Sequence, residues 1–156
     1  MSTEVKQTRV QTAGAPAAIG PYSQAVVANG MVFCTGQVAI DPETNQLVEG
    51  DIKEQTRRVM ENLGAVLEAA GSSLRHVVKT TVFLSNFHDF PDMNDIYEHY
   101  FGDAEPARST VQGGLPRGML VQIDCIAIVP SLVHSIRVVE ARESQSTYDL
   151  DLDRDF

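Results

Sequence analysis

Apolar and polar positions along the chain switch period several times, and each switch marks an element. Val5 to Thr12 alternates weakly and predicts a first edge strand. Ala13 to Pro21, rich in alanine, glycine and proline, predicts a loop. Gln24 to Ala28 and Met31 to Thr35 flank Asn29-Gly30, a pair that accepts the positive φ a two-residue hairpin turn needs. Asp41 to Gly50 reads as a long polar turn. From Asp51 to Ala70 the period becomes helical, with Ile52, Val59, Met60, Leu63, Val66, Leu67 and Ala70 on one stripe. Asp51 and Glu54 have capping-box spacing, and Gly71 suits the stop.

His76 to Ser85 returns to alternation, predicting a strand with Val78, Thr80, Val82 and Leu84 on one face. A second helix is expected from about Asp89 to Phe101. Pro91 lies in its first turn, and Phe90, Met93, Ile96, Tyr97, Tyr100 and Phe101 form the buried stripe. Gly102 ends it. Arg108 to Gln112 predicts a strand, and Leu115 to Gly118 a turn. Val121 to Val129 predicts the last long strand, with Val121, Ile123, Cys125, Ala127 and Val129 facing one way and Gln122, Asp124, Ile126 and Ile128 the other.

The order β-β-β-α-β-α-β-β predicts an α+β domain, a six-stranded sheet with both helices packed on one face. The other face stays partly apolar through Ile126, Ile128 and the middle strands. Uncovered, that patch would be wet, so a homo-oligomer is expected. Residues 1–139 form the expected single domain. Residues 140–156 differ: six acids against two arginines carry −4 of the net −9. This acidic tail is expected to be disordered, or alternatively to dock on a neighbouring subunit through Leu150, Leu152 and Phe156.

Composition narrows the function classes. The chain has 156 residues, one domain's length, and 43% are hydrophobic, enough for a core. A net charge of −9 with scattered lysines and arginines argues against nucleic-acid partners. No apolar run approaches the ~20 residues of a membrane span, and Met1 to Val10 is too polar for a signal peptide. A cytoplasmic protein is expected. Cys34 and Cys125 sit in apolar runs and read as reduced core residues. His76, His88, His99 and His134 lack metal-ligand spacing, and no metal is expected.

One segment carries chemistry on its own. Pro106-Ala107-Arg108-Ser109-Thr110 places an arginine at the start of an apolar strand, just after a glycine-ended helix. The guanidinium fork matches a carboxylate, so Arg108 reads as a clamp for a small carboxylic acid. The alternative is a structural arginine paired with a carboxylate of the chain, Asp124 among them. Tyr22 alone reads as loop packing, and Asn94 as an exposed helix residue.

Several motifs then line up in order: Gly20-Pro21-Tyr22-Ser23-Gln24-Ala25, Thr35-Gly36-Gln37, Asn94 in the second helix, Pro106-Ala107-Arg108-Ser109 and the Ile123-to-Ala127 strand. Over roughly Ala15 to Pro130 the chain resembles the Rid/YjgF family of enamine/imine deaminases. The resemblance implies a chorismate-mutase-like (bacillus-type) fold, a homotrimer with sites between subunits, and no metal or organic cofactor. It implies hydrolysis of 2-enamino and 2-imino acids such as 2-aminoacrylate to 2-keto acids and ammonia. By position, Arg108 is the carboxylate-binding arginine, Tyr22 stands near the ligand, and Thr35 and Gly36 line the pocket floor. Asn94 faces the cleft, and the backbone at Thr110 can donate to the carboxylate. Thr110 stands where many members have a cysteine, and Asp124 where many have a glutamate that holds the attacking water. The implied catalytic set is Arg108, Asp124 and Tyr22. A non-catalytic keto-acid-binding trimer is the alternative, and an endoribonuclease a weaker one.

Overall fold

The computed structural model describes residues 6–116 and 118–133. His134 and the acidic segment 140–156 lie outside the described residues. Eight strands and two α-helices follow in chain order among the described residues: β1 (Gln7–Val10), β2 (Ala25–Ala28), β3 (Met31–Gln37), β4 (Ile40–Asp41), β5 (Gln46–Leu47), α1 (Ile52–Ala69), β6 (Val77–Leu84), α2 (Phe90–Phe101), β7 (Ala107–Gln112) and β8 (Val121–Ile128).

Six strands form one mixed sheet in the order β1-β2-β3-β8-β6-β7. Only β6 and β7 run parallel, because α2 returns the chain to the same end of the sheet. The β2–β3 hairpin turns at Asn29 (φ 50°) and Gly30 (φ 74°), the geometry expected of Asn-Gly. The long polar turn holds an unforeseen two-residue hairpin, β4 against β5.

Helix α1 begins as its sequence predicts. Asp51 accepts from the Glu54 backbone at 3.0 Å, and the Glu54 carboxylate accepts from the Asp51 backbone at 3.0 Å. Its apolar stripe, fully buried at Val59, Met60, Leu63, Val66 and Leu67, meets Val32, Val82, Val121, Ile123 and Ala127 from the sheet. Helix α2 adds Met93, Tyr97 and Phe101 to the same core, so both helices cover one face. Burying a large aliphatic side chain contributes roughly 1.5–3 kcal/mol, which makes this layer the main source of stability. Cys34 and Cys125 are register partners inside it, both free and buried. A hydrogen bond donated to Cys34, together with burial, holds the Cys125 thiol far above its ordinary range.

The strand face predicted for β6 needs one correction. Val78 does not join Thr80, Val82 and Leu84; it is 41% exposed, and Val77 is buried in its place. A bulge between Val77 and Lys79 inserts an extra residue against β8 and flips the alternation.

Buried amides tie the irregular segments to this frame. Gln24, only 2% exposed, accepts from the Thr12 amide at 2.7 Å and donates to the carbonyls of Thr12, Ala15 and Pro16. It therefore shapes the loop that carries Tyr22. Asn62 donates to the carbonyls of Val38 and Ile40 and fixes the path out of β3. Gln55 bonds the Gly118 carbonyl and the Leu120 amide just before β8.

Candidate functional site

The approach to Arg108 is set by three backbone features. Helix α2 stops at Gly102, whose φ is 49°, and Glu105 sits in the left-handed region at φ 38° and ψ 58°. A residue before proline is disfavoured in the right-handed helical region, so the chain leaves the helix there. Pro106 and Ala107 then lead into β7 beside β6, with Arg108 opposite Thr80.

That register turns Arg108 toward the helices, because its partner Thr80 is fully buried on that side. Helix α2 presents Phe90, Asn94 and Tyr97 to it. The guanidinium carbon lies 4.7 Å from the Tyr97 ring centre and 5.3 Å from the Phe90 ring centre. Nη1 donates to Asn94 Oδ1 at 2.8 Å. Tyr97 is itself anchored, its hydroxyl 2.7 Å from Thr80 Oγ1. Burial raises the Tyr97 phenol above its ordinary value, against the lowering effect of the Thr80 hydrogen bond and the Arg108 charge. The ring under the guanidinium is therefore neutral at physiological pH.

A cleft of about 510 Å³ opens beside this group, lined by Asn94, Tyr97, Glu98, Phe101, Glu105 and Arg108 among others. Among the described residues Arg108 pairs with an amide, not a carboxylate, and Asp124 is not its partner. The guanidinium has five donors, and Asn94 takes one. Thr110, two residues on and opposite Val82, shares the helix side with Arg108.

The other expected residues gather on the opposite face of the sheet. At a bulge between Cys34 and Gln37, Thr35 and Gly36 together oppose Asp124. Asp124 also pairs with Thr81 across β6. It lies between the buried Ile123 and Cys125, so alternation directs its carboxylate to the open face, away from Arg108. Gln122 shares that face, and a Cβ on Gly36 would stand 2.5 Å from its amide nitrogen. Gln122 thus packs against Gly36 and is a neighbour the motifs do not include. Its place in the outward set of β8 was the available signal.

Tyr22 stands apart from both groups. It is half exposed on the loop before β2 and lines a separate cleft with Arg9, Gly20 and Val26. Strand β2 lies four strand spacings from β7, or roughly 19 Å. Within one chain, Tyr22, Asp124 and Arg108 do not meet. Among the described residues no three histidine, cysteine or acidic side chains gather as a metal site, and no helix is long and apolar enough to cross a membrane.

The sequence profile of the family described as Endoribonuclease L-PSP matches residues 12–129. The chain belongs to this family, the Rid (YjgF) family. A RutC family protein of Pyrococcus horikoshii is 51% identical over 117 residues, covering 74% of this chain and 93% of that one. The mouse 2-iminobutanoate/2-iminopropanoate deaminase is 45% identical over 129 residues, covering 82% and 95%. Among solved structures, a Rid family protein of unknown function from Yersinia pestis superposes with a TM-score of 0.77 at 48% identity, covering 80% of this chain and all of that one. The E. coli protein TdcF with bound serine gives 0.73 at 37%, covering 78% and 98%. The Rid family match spans all the expected site residues, including those on opposite faces of the sheet.

Proposed function

We propose that this chain hydrolyses reactive 2-enamino and 2-imino acids, such as 2-aminoacrylate, to 2-keto acids and ammonia. The observation that carries the reading is the guanidinium of Arg108, held by Asn94 and stacked on Tyr97 at the rim of a cleft. Such a group suits a planar carboxylate. The deaminase activity named for the mouse relative, and the serine bound to the E. coli relative, both fit a substrate with an α-carboxylate.

The site is completed between copies of the chain in a chorismate-mutase-like homotrimer. The separation of Tyr22 from Arg108 supports this, because a substrate of a few ångströms cannot span roughly 19 Å. So does the open sheet face, where Phe33 is 42% and Val111 43% exposed.

In this cleft Arg108 and the Thr110 backbone hold the carboxylate, and Asn94 fixes Arg108. A proton is added at the β-carbon of the enamine, giving the imine. Water then adds to the imine carbon while Asp124 accepts its proton. Asp124 returns that proton to the nitrogen of the resulting carbinolamine, the C–N bond breaks and ammonia leaves, and the hydroxyl gives its proton to solvent as the carbonyl forms. Tyr22 orders water at the mouth, with Thr35, Gly36 and Gln122 as the floor. Both steps proceed slowly unaided, so placement and proton transfer are sufficient catalysis. Neither role calls for a metal or an organic cofactor.

RNA cleavage, suggested by the description of the matching profile, is disfavoured by the net charge of −9. The test is a coupled assay in which a pyridoxal-phosphate dehydratase generates 2-aminoacrylate and semicarbazide traps what remains. Faster loss of the trapped species with wild type, but not with Arg108→Ala, supports the deaminase. Keto-acid binding without acceleration replaces it with a binding protein.

A further inference from the structure

We infer that Tyr97, anchored by Thr80, is a positioning residue that sets the plane of the Arg108 guanidinium before any ligand arrives. This rests on the carboxylate-clamp reading of Arg108. Phe90, Asn94 and Tyr97 fall at four- and three-residue spacing on α2, so one helix face offers two rings and an amide to a single side chain. An unrestrained arginine loses much rotamer freedom on binding, and fixing it beforehand makes binding tighter.

The geometry has two linked parts. The face of the Tyr97 ring fixes the guanidinium plane, 4.7 Å away, while Asn94 fixes its rotation through one in-plane hydrogen bond. The ring cannot slide, because its hydroxyl meets Thr80 and its other neighbour is Phe101, 4.4 Å between centres. Thr80 is the register partner of Arg108 itself. The strand pair that places the arginine backbone therefore also places the ring that orients its head. Tyr97 is 7% exposed, and Thr80 is fully buried. Packing alone explains an apolar residue at each position. It does not explain a buried hydroxyl pair aligned on the arginine's own register partner.

The test uses the full chain labelled with ¹⁵N-arginine, the Arg108 signal being assigned by its loss in Arg108→Lys. In wild type the Arg108 Nε–H is expected to be displaced by the ring currents of Tyr97 and Phe90. In Tyr97→Leu it returns toward the ordinary arginine position. Calorimetry with 2-oxobutyrate is expected to show binding weakened about tenfold in Tyr97→Leu and about threefold in Tyr97→Phe. Turnover of 2-iminobutanoate should show a raised KM with kcat within about twofold.

Thr80→Val and Tyr97→Phe, singly and together, should give the same loss, since each breaks one shared bond. That pair keeps the inference testable if Tyr97→Leu does not fold. An unmoved Arg108 signal together with unchanged affinity in a folded Tyr97→Leu overturns it, as do additive losses in the cycle. A displaced signal in a wild type that binds no keto acid leaves the positioning in place and removes the clamp reading instead.

Discussion

The two faces of the sheet solve different problems. On the helix side, Arg108 is stacked, hydrogen-bonded and bounded by a cleft, all from one chain. On the open side, Thr35, Gly36, Gln122 and Asp124 form a polar strip beside exposed Phe33 and half-buried Ile126 and Ile128, with no layer of the described residues over them. The group proposed to bind the carboxylate is thus preorganised within one chain. The residues proposed for hydrolysis are proposed to be completed by a second copy. A helix layer can hold a charge in place because its core is already closed; an open sheet face cannot.

The largest effect should come from breaking the open side. Phe33→Asp puts a carboxylate where the second copy is proposed to pack. The expected result is monomers by light scattering, a native circular dichroism spectrum and turnover reduced at least about 100-fold, since burying an unpaired charge costs several kcal/mol. An active oligomer would remove the open face as the interface.

Arg108→Ala breaks the other side. Losing charge-assisted hydrogen bonds of ~1.5–3 kcal/mol each predicts kcat/KM lower by about 100-fold or more. Subunit assembly should be unchanged by light scattering, because Arg108 faces its own helices.

Asp124→Asn sharpens the division between binding and hydrolysis. It should lower kcat by about 10- to 100-fold, the usual range for a lost proton acceptor, while calorimetry with 2-oxobutyrate shows wild-type affinity. Equal losses of affinity and turnover would place Asp124 with the carboxylate clamp.

The smallest effect is in alkaline stability. Burial raises the Tyr97 phenol, so folding favours its neutral form. That contribution is present below pH 10.0, the ordinary value, and is lost as pH rises through the higher folded value. Urea midpoints measured from pH 9 to 11 should fall more steeply for wild type than for Tyr97→Phe. Parallel curves would show that the phenol is not constrained on the helix side.

The amino-acid sequence by itself determined the six main strands, both helices, the Asp51 capping box and the Asn29-Gly30 turn, and it singled out Arg108 as the residue to test. These follow from local periods and caps, which neighbouring residues decide. The family resemblance implied that Asn94 faces the cleft, but not what it holds. Only the tertiary structure decided which face each site residue takes. The bulges at Val78 and at Thr35-Gly36 shift alternation by one residue, and no periodicity in a single strand reveals that. Gln122 stayed unseen because its contact with Gly36 joins two strands far apart in the chain. So did the bond from Asn94 to Arg108, and the stack on Tyr97, which a helical stripe presents only as core. Separation of Tyr22 from Arg108 follows from strand order, a property of long-range pairing rather than of any segment.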